Sequence, residues 1–434
     1  MSLKVEFNYL NESKKFNVSD YQKRVTEINE QIENRTLPGG DFLGWLHYSS
    51  NFDSAELDRI NKKAKEFRDN YELLVVCGIG GSYLGAKAVI EAINGIFPNK
   101  QMQIIYLGNT LDPNYINESL EYIKNKKFCV CVVSKSGTTT ETSVSFRLLK
   151  LLAEEKYGKV GASKAIVAIT DKEKGALRKL ATIEGYETFA LPADMGGRFS
   201  VMSPVGLFPI ACAGIDIKEF QEGFKLGEKL YGDSDLNKNE AYKYACERHF
   251  LYEAGYKVEL FADYEPRLSN VNEWLKQLFD ESEGKDGKSL FTTSCVFTTD
   301  LHSLGQFIQE GSKILFETVL FIDKPNKDVV VPEDKDDLDG LNYLAGKKLS
   351  FVNREAYLGT LDAHANTGNV PNITITLDHF DTKMLGQLLY FFMKTTAMSG
   401  YLNGVNPFNQ PGVEVYKKNM FHLLGKKGYW SKIQ

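Results

Sequence analysis

A chain of 434 residues is long enough for roughly two to three domains, each with its own core. Its net charge of −5, with 43% apolar and 25% charged residues, describes an ordinary globular protein and argues against a life on nucleic acid or an anionic membrane. The opening MSLKVEFNYL holds no apolar core of signal-peptide length, and no stretch approaches about 18 apolar residues, so a cytoplasmic location is expected.

In chain order, Leu73–Cys77 is a continuous apolar run, followed by Gly78-Ile-Gly-Gly-Ser82 and a helical stretch from Tyr83 to Asn94. Gln103–Leu107 reads as the next strand, and Asp112-Pro113 supplies the N-cap and first residue of a helix. Phe128–Val133 is a third strand, unbroken as a strand covered on both faces requires. It leads into Ser134-Lys-Ser-Gly-Thr-Thr-Thr140 and a helix over 141–155, and Ala165–Ile169 follows as a fourth strand. Strands alternating with helices of this length predict parallel βαβ units. The second half repeats the plan: a strand at Val258–Phe261, a helix over 265–279, strands at Lys313–Ile322 and Asn372–Leu377, and a long helix from Asp381 to Ser399. The expected fold class is α/β, with two doubly wound parallel-sheet domains packed together, at 45–190 and 200–434. Residues 1–44 are expected to pack on the second domain.

The six cysteines (Cys77, Cys129, Cys131, Cys212, Cys246 and Cys295) form no CxxC pair and read as reduced structural thiols. Six scattered histidines without HxH or HxxxH spacing offer no metal site.

Gly78–Ser82 lies between a buried strand and a helix, where exposed N–H groups and the helix dipole favour an anion. Nucleotide readings fail there. A dinucleotide fingerprint needs glycine where Tyr83 stands, and a P-loop needs lysine where Ala86 stands. Such a turn alone reads equally well as a tight connection. Ser134–Thr140 shifts the balance, because a helix cap uses one hydroxyl and five stand here in seven positions. Short hydroxyls with free backbone N–H groups suit the three oxygens of a phosphate monoester.

Arg198 follows two glycines in Ala193-Asp-Met-Gly-Gly-Arg198 and offers a planar fork for an enediolate oxygen or a carboxylate. Asp280-Glu281-Ser-Glu283-Gly284-Lys285 closes a helix that carries Gln277 one turn earlier. Acids at a helix C-terminus meet an unfavourable dipole that raises their pKa, as a base acting on a carbon acid requires. Asp300-Leu-His302 begins a helix in the same half, and Asn406-Pro-Phe-Asn-Gln-Pro-Gly-Val-Glu414-Val-Tyr-Lys417 runs a turn into another. A lysine in that helix's first two turns opposes the dipole, so a ligand-facing role gains ground over a structural one.

Taken together, GIGGSYLG, SKSGTTTET, DMGGRFSVMSPVG, DESEGK and NPFNQPGVEVYKK resemble the phosphoglucose isomerase family in order and spacing, across nearly the whole chain. That resemblance implies two sugar isomerase (SIS) domains, a homodimer with shared active sites, and a hexose 6-phosphate substrate. It implies interconversion of D-glucose 6-phosphate and D-fructose 6-phosphate through a cis-enediol, in glycolysis and gluconeogenesis, with no cofactor and no metal. Carried over, the phosphate is held by Gly81, Ser82, Ser134, Lys135, Ser136, Thr138 and Thr139. Glu281 becomes the base, Gln277 orients the sugar, Arg198 stabilises the enediolate, and Lys417 with a histidine opens the ring. The bacterial-type branch places that histidine at His302. The animal branch places it where this chain has Gln309, seven residues along the expected helix. Two other readings are an isomerase that also accepts mannose 6-phosphate and a non-catalytic SIS-type sugar-phosphate sensor. The second lacks the basic DNA-binding segment such sensors carry.

Overall fold

The computed structural model describes residues 3–8, 16–95, 97 and 102–429. Among the described residues, ten strands form two sheets: β1 (Leu3–Asn8), β2 (Leu73–Cys77), β3 (Gln103–Leu107), β4 (Phe128–Val133), β5 (Ile166–Thr170), β6 (Glu187–Ala190), β7 (Val258–Asp263), β8 (Phe291–Val296), β9 (Leu315–Ile322) and β10 (Asn372–Leu377). The first sheet runs β3-β2-β4-β5-β6 and every pair in it is parallel. The second runs β1-β10-β9-β7-β8. It is parallel except for β1, which lies antiparallel against β10, Leu3 facing Leu377.

Both sheets reverse direction in the same way. From β2 the chain steps out to edge strand β3 and returns across β2 to β4. From β7 it steps out to β8 and returns to β9. Each reversal opens a crevice at the carboxyl ends of two neighbouring strands, where open α/β sheets bind ligands. In the first sheet the loops on either side of that crevice are 78–82 and 134–140.

Central strands β2, β4 and β5 are buried at every residue, which is why they read as unbroken apolar runs. Edge strands β6 and β8 were not expected. Glu-Thr-Phe-Ala and Phe-Thr-Thr-Ser-Cys-Val mix buried, half-buried and exposed positions and present no such run. Asp112 caps its helix by accepting from the Tyr115 N–H at 2.7 Å, with Pro113 in the first turn. The helix expected over 265–279 instead opens as a 3-10 turn at Pro266–Leu268 and continues as Ser269–Glu283. Its C-terminal turn therefore holds Asp280, Glu281 and Glu283.

The helix Thr382–Leu402 is the central beam of the second half, with every residue buried except Lys383. Helices Leu84–Asn94 and Ser269–Glu283 pack on each other across the two sheets, joined by a hydrogen bond from Asn270 to Glu91. That contact sets the first sheet's crevice beside the turn that carries Glu281. All six cysteines are unpaired and buried. Among the described residues, no helix is long and apolar enough to cross a membrane.

Candidate active site

The two crevice loops have different local logic. After β2, Gly80–Ser82 forms a 3-10 turn pressed directly onto a second 3-10 turn, Gly197–Phe199. A Cβ on Gly81 would lie 2.2 Å from the Gly197 carbonyl oxygen and 2.6 Å from the Arg198 nitrogen, so only glycine permits this approach. After β4, the buried Ser134 hydroxyl accepts from the Gly137 N–H at 3.0 Å, and Ser136 Oγ accepts from the Thr138 N–H at 3.1 Å. Gly137 has φ +72°, a left-handed conformation that closes the loop. Ser136 and Thr138 hydroxyls lie 2.9 Å apart and face solvent. Thr139 occupies the N-cap of the helix that follows, yet its side chain makes no cap hydrogen bond. Capping therefore does not account for this run of hydroxyls. Lys135 Nζ donates to the Ala193 carbonyl at 2.8 Å, tying the loop to the segment that leads to Arg198.

Arg198 is 3% exposed and ties its own turn to two other segments, 281–282 and 407–410. Its Nε donates to Ser282 Oγ at 2.7 Å, Nη2 to the Pro407 carbonyl at 2.6 Å, and Nη1 to Gln410 Oε1 at 3.4 Å. Nη1 also stands 3.3 Å from Glu281 Oε1. Burial pulls the arginine's pKa below its usual value, and Glu281 works against that pull. A guanidinium held this rigidly is a preorganised positive charge, able to stabilise an oxyanion without reorganising.

Glu281 is within reach of solvent, with 28% of its side chain exposed. Its Oε2 accepts from Gln277 Nε2 at 2.9 Å, one helical turn back. Gln277 Oε1 is buried with no partner, an acceptor left open beside the carboxylate. The raised acid at this helix end is Asp280. Burial pushes it up to about 6, while its Oδ1 accepts from the Thr292 N–H of edge strand β8.

Two expectations need correction. Lys417 has a structural partner after all: its Nζ lies 2.8 Å from Glu414 Oε1, one turn back. That bond raises its pKa, and the charge of Glu281 adds to the rise, so the lysine lies within the carboxylate's field. His302 does not lie on one helix with position 309. It ends a 3-10 turn, Thr299–His302, and Ser303 and Leu304 separate it from the helix Gly305–Glu310. The His302 side chain is exposed, while Gln309 is tied to the Ala363 carbonyl at 3.2 Å.

The structure thus gathers Gly81, Gln277, Glu281 and Arg198 into one contact network, places Ser134–Thr139 on the neighbouring strand end, and leaves His302 without a contact to them. Two contributors went unnoticed in the sequence. Gln410 sat inside a motif that drew attention only to its lysine, and Ser282 sat between two acids that looked more chemical.

A hydroxyl-lined crevice at a strand reversal of an α/β fold, with a carboxylate and a buried arginine alongside, suits an enzyme acting on a small phosphorylated substrate. Comparison with known proteins assigns the class of phosphosugar isomerases. The family profile for phosphoglucose isomerase matches residues 59–428. The glucose-6-phosphate isomerase of Streptococcus thermophilus is 51% identical over 436 aligned positions, covering 98% of this chain and 97% of its own. That of Clostridium novyi is 50% identical, covering 95% and 93%. Among solved structures, a hypothetical protein from Thermus thermophilus superposes with a TM-score of 0.88 at 28% identity, covering 97% of this chain and all of its own. A Chlamydia trachomatis glucose-6-phosphate isomerase shares the fold with a TM-score of 0.81 at 22% identity, covering 97% and 88%. This chain belongs to the phosphoglucose isomerase family.

Proposed function

We propose that this chain is an aldose–ketose isomerase interconverting D-glucose 6-phosphate and D-fructose 6-phosphate, the reaction for which its half-identical relatives are named. The observation that carries the residue-level reading is the 3.3 Å approach of Glu281 to a buried Arg198, directly beside the glycine turn of the crevice. The phosphate sits among Gly81, Ser82, Ser134, Lys135, Ser136, Thr138 and Thr139. The sugar then extends toward Glu281, oriented by Gln277.

Glu281 removes the C2 proton of the open-chain aldose, and the electrons run into the C1–O1 carbonyl. The resulting cis-enediolate is stabilised by the Arg198 charge. The Glu281 carboxylic acid returns its proton to C1 as the C2–O2 carbonyl forms, and the O2 proton passes to O1. Lys417 and His302 move the protons that open the ring. His302 acts from a partner subunit in a homodimer of shared sites, which agrees with its lack of contact with Glu281 in its own chain. The domain division at 45–190 and 200–434, with 1–44 on the second, and a cytoplasmic location complete this reading.

Fructose 6-phosphate formation from glucose 6-phosphate in deuterated water tests it. Enzyme-dependent deuterium at C1 of the ketose is expected, and turnover without any solvent exchange would point to hydride transfer instead. A parallel assay with mannose 6-phosphate reads the breadth of the site.

A further inference from the structure

The helix Ser269–Glu283 ends with carbonyls that have no helical partner, at the negative pole of its dipole. Gly284 ends the helix, and Lys285 folds back over it. The Lys285 ammonium donates to the carbonyl of Glu281 at 3.0 Å and to the carbonyl of Ser282. Those are the two residues on which the carboxylate–arginine pair depends. Glu281 carries the carboxylate, and Ser282 Oγ anchors Arg198 Nε at 2.7 Å. One half-buried cation thus holds both backbones from behind.

We propose that Lys285 is a positioning residue for the reaction at this site, holding the Glu281–Ser282 backbone so that carboxylate and guanidinium keep their separation. This rests on the reading of Glu281 as the base.

The charges facing Lys285 make its protonation matter. Burial and the nearby Arg198, from the turn Gly197–Phe199, both disfavour the ammonium, while Glu281, Glu283 and Asp286 favour it. Glu283 is itself engaged by the buried Arg248 at 2.8 Å, and Glu281 also feels Lys417. The balance brings Lys285 down to about 8 from a usual value of 10.5. The ammonium's charge-assisted bonds to the two carbonyls weaken to those of a neutral amine as the proton leaves, so positioning is lost as pH rises through about 8. Stability moves the other way. Between about 8 and 10.5 the unfolded chain binds more protons at this lysine than the folded one, so its contribution to stability grows with pH. Deprotonation of Lys285 by itself therefore does not unfold the chain, so an alkaline loss of activity at this group is separable from loss of structure.

The test is kcat and KM for glucose 6-phosphate from about pH 6 to 10, with circular dichroism at each point, for the wild type, Lys285→Met and Lys285→Arg. Lys285→Met is expected to lower kcat about 10- to 100-fold with KM within about twofold. Lys285→Arg, which keeps its proton, is expected to restore most of kcat and to move the alkaline limb up by about one pH unit or more. A folded Lys285→Met with normal kcat overturns the proposal. So does a Lys285→Arg profile whose alkaline limb coincides with the wild type, which decides the matter if the Met variant does not fold. Glu281→Gln is run beside them. If it stays active, the base assignment has failed; if it is inactive while Lys285→Met is normal, only the positioning role has.

Discussion

Gly81 and Gly197 meet backbone to backbone, with the Gly81 α-carbon turned onto the Gly197 carbonyl. The contact joins the turn at the strand reversal to the turn that carries Arg198, so neither can shift alone. The two glycines are not equivalent. A Cβ on Gly81 would meet that carbonyl at 2.2 Å, whereas one on Gly197 would meet only the Gly81 α-carbon, at 3.8 Å.

Gly81→Ala should therefore separate the two turns and lower kcat/KM by about 100-fold or more, the scale of an ångström-sized misplacement. Gly197→Ala should stay within about threefold of wild type, because its Cβ would make only an ordinary van der Waals contact. Steady-state kinetics with melting curves on both variants checks this. Equal losses would show that the asymmetry of the contact does not matter.

Glu281→Gln keeps the shape of the side chain and removes its basicity. Isomerisation should fall by roughly 100- to 10,000-fold while sugar phosphate still binds, because the groups proposed to hold the phosphate lie on other elements. Calorimetry of substrate binding alongside turnover separates the two effects. Near-normal turnover would send the search for the base elsewhere.

Glu247 lies in the helix Glu240–Glu253, fully buried, and neither carboxylate oxygen has a hydrogen-bond partner. Burial pushes it up to about 8, with Glu240 adding to the rise and Lys243 opposing it. The folded state then holds more protons here than the unfolded chain between about 4.5 and 8, so this group's contribution to stability falls as pH rises across that window. Glu247→Gln should stabilise the fold by about a few kcal/mol at pH 8, read as a higher melting temperature, and by little near pH 4.5. A gain that does not depend on pH would mean that the carboxyl is not the cause.

The shared-site reading predicts complementation. Glu281→Gln and His302→Ala homodimers, each crippled, are unfolded and refolded together. Random reassortment makes about half of the dimers mixed and restores roughly a quarter of all sites if His302 serves its partner. If it serves its own chain, every site keeps a defect. Native mass spectrometry confirming heterodimers without recovered activity would refute the shared site.

How much of this was legible beforehand depended on what each residue had to satisfy. β2, β4 and β5 declared themselves because a strand covered on both faces has no choice of polarity. β6 and β8, each covered by one neighbour, could carry threonine and serine and left no such trace. The glycine and hydroxyl loops stood out by density, and Arg198 and Glu281 by family resemblance. Lys285 did not, because its role depends on the chain reversing at Gly284, which no periodicity records. Nor could the sequence say which acid of the Asp280–Glu283 cluster would be raised. The dipole argument treats them alike, and burial beside β8 singles out Asp280.

The antiparallel pairing of β1 with β10 has a consequence for how the chain is made. The first sheet is drawn from one continuous stretch, Leu73 to Ala190, and all its strands are available as soon as that stretch has been synthesised. β1 is made before that stretch, but its neighbour among the described strands begins at Asn372. At about 5 to 20 residues per second, that leaves roughly 20 to 70 seconds during which β1 has no strand to pair with. The apolar side chains of Leu3 and Val5, buried in the finished protein, lack β10 as a partner through that interval, while the first sheet is already able to form. Docking of β1 on β10 therefore waits until after the first sheet has been made, and it joins a strand that precedes that sheet to one that follows it.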